Sequence, residues 1–293
     1  MNSKSSPAIE FDPEIQEHYQ REGYVVARGV PADLIDLGET IAKNWVETKV
    51  REWIDEGILT SDFLDLPLKQ RFMSAWLAAG KPTYNRDSRH YLCTEELYRY
   101  LTHPYLVGLS EHLLGSKEVS VNGTYNLRLK HPQLPWSVVP WHADLYYWEE
   151  YRKGDFLNMI IFWIPFQPMS RDSGCLQVVP YNQGSGMDFQ MKDGAIFIPD
   201  ETAARFNPET IEMKRGEVLC MSDTVIHRSL PNTVSEVMWN LDVRYEQTSE
   251  KGTSAKNHGF VVSTESTSAT LTTASEWVAK RQPKIQVAYS NKQ

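Results

Sequence analysis

The chain has 293 residues, of which 41% are hydrophobic and 23% are charged, a composition typical of a globular protein with a sizeable core. Its formal net charge is -8 and its sequence pI is about 5.5. An acidic surface repels phosphate backbones, which argues against a nucleic-acid partner. The three cysteines are odd in number and widely spaced, so they predict neither a disulfide framework nor a zinc knuckle, and a cytoplasmic setting fits best.

The polar N-terminus and the lack of any run near the ~18 apolar residues of a membrane helix predict neither a signal peptide nor a membrane anchor. No change of composition resembles an interdomain linker, so residues 1–293 are expected to form a single domain. Assembly of this domain into a homo-oligomer is left open by the sequence.

The first third of the chain is expected to be mainly helical, over residues 12–117, after a flexible tail at 1–10. Asp12 and Pro13 are typical of a helix start, and Gly23 of its end. A short β-rich run, YVVARGV, follows this helix. Apolar residues then recur at helical spacing, which predicts further helices at 32–57, 66–79 and 94–114.

Short β-rich runs separated by turn residues begin near residue 118, and they predict a β core over 118–262. A loop and a last helix, SEWVAKRQ, complete the chain over 263–293. Helices followed by many short strands indicate an α+β protein, mainly β, in which the N-terminal helices pack on one sheet of a sandwich or barrel. The runs are EVSVNGTYNLRLK, FLNMIIFWIPF, GCLQVVP, GAIFIP, EVLCMS and VMWNLDVRYE.

The segment Pro140–Asp144 carries the clearest chemical signal, because His142 and Asp144 lie two residues apart. On an extended segment both side chains would point to the same side. His227, between a β-rich run and a Leu-Pro-Asn turn, is the candidate third ligand. Two imidazoles and one carboxylate on one face of an iron ion leave positions open for O2 and a co-substrate. An isolated H-x-D is weak evidence of a metal site, and its context strengthens it here.

The order of the segments WHADLYYW, SRDSGCLQVVP, IHRSLPN and WNLDVRYE resembles the phytanoyl-CoA dioxygenase family. This resemblance spans about residues 118–262 and implies a double-stranded β-helix, or jelly roll. It also implies an iron(II)- and 2-oxoglutarate-dependent oxygenase that oxidises a C–H bond of a small organic substrate, by hydroxylation or a related oxidation. His142, Asp144 and His227 would bind the iron, and Ser229 would contact the co-substrate carboxylate.

One position departs from the family. A basic residue, usually Arg, lies eleven positions after the distal His in the family, whereas this chain has Met238 there. A thioether cannot form the charge-assisted pair that Arg forms with a carboxylate. The next candidates share one face of the strand NLRLK: Arg128, which we place first, Asn126 and Lys130. Arg244 would point to the same face of its strand as Met238. It lies six residues further along, roughly 20 Å, which is too far for it simply to replace the missing arginine.

Three explanations of Met238 remain open at this point. The co-substrate carboxylate is bound from another strand, or the enzyme uses iron and O2 without 2-oxoglutarate, or the chain is a non-catalytic binding subunit with the same fold. A zinc hydrolase with the same ligands is a further alternative. Met238, Tyr146 and Tyr147 are candidates for the substrate pocket, and strand alternation after Asp144 would place one tyrosine on the metal side and the other in the core.

Overall fold

The computed structural model describes residues 9–82, 92–132, 134, 137–147, 158–181, 189–192, 195–248, 259–266 and 271–281. Antiparallel sheets and a layer of N-terminal helices make up this part of the chain, which confirms the predicted combination of N-terminal helices with antiparallel strands. None of the described helices is both long and apolar enough to cross a membrane.

Helices dominate up to residue 114. The first begins as predicted, because Asp12 Oδ1 accepts a hydrogen bond from the N–H of Glu14, and it ends at Gly23, whose φ is 78°. The predicted helix over 94–114 is two helices, because the second starts at Pro104 and a residue before proline is kept out of the helical region. The helices are α1 (Pro13–Glu22), α2 (Ala32–Asp55), α3 (Leu68–Ala78), α4 (Glu95–Leu101), α5 (Pro104–Leu114), α6 (Asp200–Ala203) and α7 (274–281).

The strands form a six-stranded sheet in the order β1-β8-β3-β10-β2-β11, a three-stranded sheet in the order β7-β4-β9, and the hairpin β5-β6. All of their pairings are antiparallel. The helical part of the chain also contributes β1 to one edge of the large sheet. The strands are β1 (Tyr24–Arg28), β2 (Val119–Lys130), β3 (Met159–Pro165), β4 (Leu176–Val179), β5 (Gln190–Lys192), β6 (Ala195–Phe197), β7 (Glu209–Ile211), β8 (Glu217–Ser222), β9 (Ile226–Ser229), β10 (Met238–Gln247) and β11 (Phe260–Ser263).

The large sheet separates two apolar cores, because alternate residues of each strand point to opposite faces. On the outer face, Trp239 of β10 packs edge-on against Trp45 of α2 and Phe72 of α3. The inner core lies towards the small sheet and includes Trp163 and Val178. The outward orientation of Trp239 explains why its strand neighbours, Met238 and Asn240, point inwards.

The inner face of β10 changes from apolar to polar along the strand. Met238 packs against the inner core, whereas the next three inward residues, Asn240, Asp242 and Arg244, are buried polar or charged groups. Burying such groups is costly unless they are paired or hydrogen-bonded, so their presence marks this end of the sheet as a candidate functional site. The segment around residue 142 reaches the same end.

Candidate metal centre

His142, Asp144 and His227 converge as the sequence predicts. His142 forms an isolated antiparallel bridge with His227, in which the two main chains exchange hydrogen bonds of 3.0 and 2.9 Å. Asp144 follows as the first residue of a 3-10 helix, Asp144–Tyr147, rather than on the extended strand that we expected. One ligand atom from each residue lies within 4.8 Å of the other two, and all three residues are buried.

Both imidazoles present the same ring nitrogen to this centre. His142 Nδ1 lies 2.9 Å from the carbonyl oxygen of Pro140, and His227 Nδ1 lies 3.0 Å from that of Val225. Each Nδ1–H therefore donates to a main-chain carbonyl, which leaves Nε2 to bind a metal. The ring centroids are 4.2 Å apart. The main chain thus fixes the tautomer that a metal centre needs.

The protonation states at the centre also suit a cation. Burial is the main cause that lowers the pKa of His227 to about 4, and the neighbouring His142 adds to the effect, so this imidazole is neutral near pH 7. Burial alone would raise the pKa of Asp144. The charge of Arg244 and the two histidines outweigh it and hold that pKa well below its ordinary value.

Arg244 is a residue of this centre that the sequence analysis did not assign to it. Its Nε and one terminal nitrogen donate to Asp144 Oδ2 at 2.9 and 2.6 Å, while the other terminal nitrogen donates to Asp242 Oδ1 at 2.9 Å. Asp144 Oδ1 is directed instead towards His142, 3.4 Å from Nε2. Arg244 therefore occupies one carboxylate oxygen of Asp144 and leaves the other for a metal.

Asp242 joins the candidate co-substrate residues of β2 to this network. Arg128 Nε donates to Asp242 Oδ2 at 2.5 Å, and Asn126 Nδ2 donates to Asp242 Oδ1 at 2.7 Å. Burial tends to raise the pKa of Asp242, but the two arginines lower it. Arg128 and Asn126 thus have a carboxylate partner within the protein, although the Arg128 side chain is 42% exposed.

The two tyrosines after Asp144 take different positions. Tyr146 is buried and packs against Phe189, with ring centroids 4.4 Å apart. Tyr147 is 45% exposed, and its ring lies edge-on to His142 at 6.0 Å. One tyrosine therefore flanks the centre and the other is in the core, but the 3-10 helix, and not strand alternation, separates them.

Two imidazole nitrogens and one carboxylate oxygen suit a divalent transition metal. A structural zinc site is closed by four protein ligands, whereas this set of three leaves positions open on the ion. A family model for phytanoyl-CoA dioxygenase matches residues 19–236. The chain belongs to the phytanoyl-CoA dioxygenase family. This membership confirms the resemblance drawn from the sequence motifs and the predicted enzyme class, a dioxygenase.

The chain is also similar to a named relative and to solved structures. The L-proline trans-4-hydroxylase of Streptomyces griseoviridis is 27% identical over 187 residues, covering 56% of this chain and 68% of the relative. EctD from S. alaskensis, solved with 2-oxoglutarate and 5-hydroxyectoine, has a TM-score of 0.55 and 16% identity over 83% of this chain and 79% of EctD. The epimerase SnoN, in complex with Fe3+, alpha ketoglutarate and nogalamycin RO, has a TM-score of 0.52 and 16% identity over 89% and 92% of the two chains. The similarity to these two solved structures shows a shared fold.

The family resemblance assigned Ser229 to the co-substrate, and the structure places it two residues beyond His227 on β9. Ser229 is buried, and its Oγ accepts a hydrogen bond of 2.7 Å from the N–H of Val139. The main-chain N–H of Ser229 donates in turn to the carbonyl oxygen of Val139. These two bonds hold the hydroxyl between β9 and the segment that leads to His142.

Met238 stands where the phytanoyl-CoA dioxygenase family usually has an arginine, and its partner across the β10–β2 pairing is Lys130. Lys130 is 4% exposed, and its Nζ donates to the carbonyl oxygens of Leu230 at 2.6 Å and Ser137 at 3.2 Å. Met238 itself lines a surface cleft with Ser173 and Glu236, and His142, Asp144 and His227 are not among the described residues that line it. Its assignment to the substrate pocket stays a prediction.

The predicted turn after β3 supports this region. Gly174 has a φ of 87°, and a Cβ there would lie 2.8 Å from the carbonyl oxygen of Leu230, the same oxygen that accepts from Lys130. Only glycine fits this conformation and this close approach without strain. The Asp-Ser-Gly-Cys motif of the family therefore packs against the chain beyond Ser229.

Proposed function

We propose that the protein is a non-haem iron(II) oxygenase that uses 2-oxoglutarate and O2 to oxidise a C–H bond of a small organic substrate. The observation that carries this proposal is the convergence of one ring nitrogen from each histidine and one carboxylate oxygen within 4.8 Å. Family membership and two similar structures that hold iron or 2-oxoglutarate support the identity of the metal and the co-substrate. The two facing antiparallel sheets are consistent with a jelly roll formed by a single domain.

The protein's own residues hold and shield the reacting groups. His142, Asp144 and His227 would bind the iron, and Arg244 would keep Asp144 ionised and oriented by occupying its second oxygen. Ser229 would hydrogen-bond the co-substrate. When bound, iron(II) and 2-oxoglutarate supply the activation of O2 and the electrons that accompany decarboxylation. The apolar inner core, which includes Val178 opposite His227 on the facing strand, would limit the access of water.

The substrate is proposed to approach from the side of Tyr147 and Arg128. These two side chains are partly exposed near the centre, whereas the histidines and Asp144 are buried. A phenol and a guanidinium offer hydrogen bonds, which favours a small polar substrate. A relative that is named as a hydroxylase of L-proline is consistent with a substrate of that size.

Anaerobic titration of the metal-free protein with iron(II) and then 2-oxoglutarate tests this proposal. Chelation of iron by the 2-oxo acid gives a weak visible charge-transfer band, which we expect in the wild type and not in His142→Ala. His131→Ala is the control, because His131 is a buried histidine that packs against Trp76. When it hydroxylates its substrate, an oxygenase of this class converts 2-oxoglutarate and O2 into succinate and CO2, and the remaining oxygen atom enters the product. Iron binding without the band would contradict the use of 2-oxoglutarate, and iron binding by His142→Ala would contradict the ligand assignment.

A further inference from the structure

Three cationic side chains line the inner face of β2 and β10, and they differ in their partners. Arg244 is paired with Asp144 and Asp242, and Arg128 is paired with Asp242. Lys130 makes hydrogen bonds only to main-chain carbonyl oxygens, and no carboxylate of the described residues lies within ion-pair distance of it. Among these three, Lys130 is thus the buried cation whose charge is not balanced.

A buried ammonium group without a counter-ion is costly, because neutral carbonyl oxygens only partly replace the water that it loses. Burial is also the main cause that lowers the pKa of Lys130 to about 7, and the charge of Arg128 adds to it. A bound anion would stabilise the charged form. The surroundings of Lys130 therefore favour binding of a carboxylate over the ligand-free state.

Hydrogen bonds link Lys130 Nζ to the two segments that position Ser229, the candidate contact for the co-substrate carboxylate. One of its acceptors, Leu230, follows Ser229, and the other, Ser137, lies two residues before Val139, which donates to Ser229 Oγ. The ammonium group thus lies where the chain beyond Ser229 meets the segment that leads to His142. Ser229 and His227 are on one side of β9, roughly 6.5 Å apart along the strand. A five-carbon dicarboxylate spans a separation of that order.

The register of the sheet relates Lys130 to the missing arginine. Lys130 and Met238 are paired across β2 and β10, so their Cβ atoms are about 5 Å apart on the same face. A long side chain from either position can reach the same volume. We infer that Lys130 binds the distal carboxylate of 2-oxoglutarate and supplies from β2 the positive charge that Met238 does not provide on β10. This inference rests on the proposed function and makes Lys130, instead of Arg128, the co-substrate anchor.

Lys130→Met is the primary test, since it removes the charge and nearly conserves the volume. Dissociation constants for 2-oxoglutarate and for 2-oxopentanoate, which lacks the distal carboxylate, are measured by anaerobic calorimetry on the iron(II)-loaded protein. We expect Lys130→Met to weaken 2-oxoglutarate binding about 100-fold and to leave 2-oxopentanoate binding within about 3-fold of wild type. Lys130→Gln, which retains a donor for the carbonyl oxygens, should behave in the same way.

Two further variants separate this inference from its alternatives. Arg128→Met should keep the wild-type preference for 2-oxoglutarate over 2-oxopentanoate, because Arg128 is paired with Asp242. Met238→Arg in the Lys130→Met background should recover at least about tenfold of the lost affinity, because it returns a cation from the facing strand.

The outcomes distinguish the inference from the proposed function. If wild-type, iron-loaded protein binds neither 2-oxo acid, the proposed function fails and the inference fails with it. If the wild type prefers 2-oxoglutarate and Lys130→Met retains that preference, only the inference is wrong. A loss of preference in Arg128→Met instead would assign the carboxylate to Arg128, and an equal loss of both ligands in Lys130→Met would mean a structural role for Lys130.

Discussion

Replacing Arg244 by methionine should destabilise the metal-free protein more than any exposed arginine substitution. Arg244 donates three hydrogen bonds of 2.6 to 2.9 Å to two buried carboxylates. Asp242 would keep Arg128 and Asn126 as partners, but Asp144 would lose its arginine. Arg244→Met therefore leaves a buried carboxylate without a cation.

The size of the effect follows from the burial of the pair. Arg244 and Asp144 side chains are 7% and 6% exposed, so solvent screens their interaction little. Removing one partner of a buried pair costs about 3–5 kcal/mol, a large part of the 5–15 kcal/mol that stabilises a typical domain. Because Arg244 lowers the pKa of Asp144, this stability is present above the ordinary carboxyl pKa and is lost as the pH falls below it.

Urea unfolding of the metal-free protein near pH 7, followed by tryptophan fluorescence, measures this loss. The control is Arg215→Met, whose side chain is 39% exposed and pairs with Asp36 and Glu39; it should cost about 0–1 kcal/mol. Asp144→Asn in the Arg244→Met background should recover part of the loss, because it removes the unpaired charge. Equal losses in the Arg244 and Arg215 variants, or no recovery in the double variant, would refute the pairing of Arg244 with Asp144.

Three further predictions concern the region of Lys130. Gly174→Ala should lower the free energy of unfolding by about 1–3 kcal/mol, because residue 174 has a positive φ and a Cβ there would contact the carbonyl oxygen of Leu230. Urea unfolding measures this loss, and an unchanged unfolding midpoint would contradict that geometry. The affinity of the iron-loaded protein for 2-oxoglutarate should fall up to about tenfold per pH unit above pH 7, since binding needs the charged ammonium group of Lys130. Burial and the charge of Arg128 lower the pKa of this group to about 7, and Cys175 opposes them. Lys130→Met should abolish that pH dependence, which calorimetry across pH 6.5–9 measures. A pH dependence that persists in the variant would contradict the role of Lys130. The metal-free Lys130→Met protein should unfold at a higher urea concentration than wild type at pH 7, because the wild type buries a lysine that prefers to be protonated in water; a lower midpoint would contradict the cost assigned to that burial.

The sequence was sufficient to predict the convergence of the three candidate metal ligands and the presence of the helix layer. The pair His142 and Asp144, together with the strand-to-turn setting of His227, predicted three residues that the structure brings together. Apolar periodicity predicted α2 and α3 to within two residues at each end. These features depend on local patterns and on chemistry that few residue types provide.

Features that depend on pairing between distant segments could not be predicted. The sequence places Arg244 only by its distance from Met238 along the strand, because its contact with Asp144 depends on where the segment after His142 meets β10. Strand alternation was extended through Asp144, where the chain instead forms a 3-10 helix. Strands of three or four residues, such as β7 and β9, are too short to show a period of two.

The two-sided composition of β10 restricts how this protein can change in evolution. Trp239 and Leu241 fill the core under the helices, while Asp242 and Arg244 serve the metal centre from the opposite face. Insertion or deletion of one residue within the strand would exchange these two sets of side chains. The indole of Trp239 would then lie on the polar inner face, and charged side chains would lie in the core under the helices. Differences in length among descendants of this chain should therefore accumulate in the connecting loops, where new substrates can be accommodated without altering the candidate iron ligands.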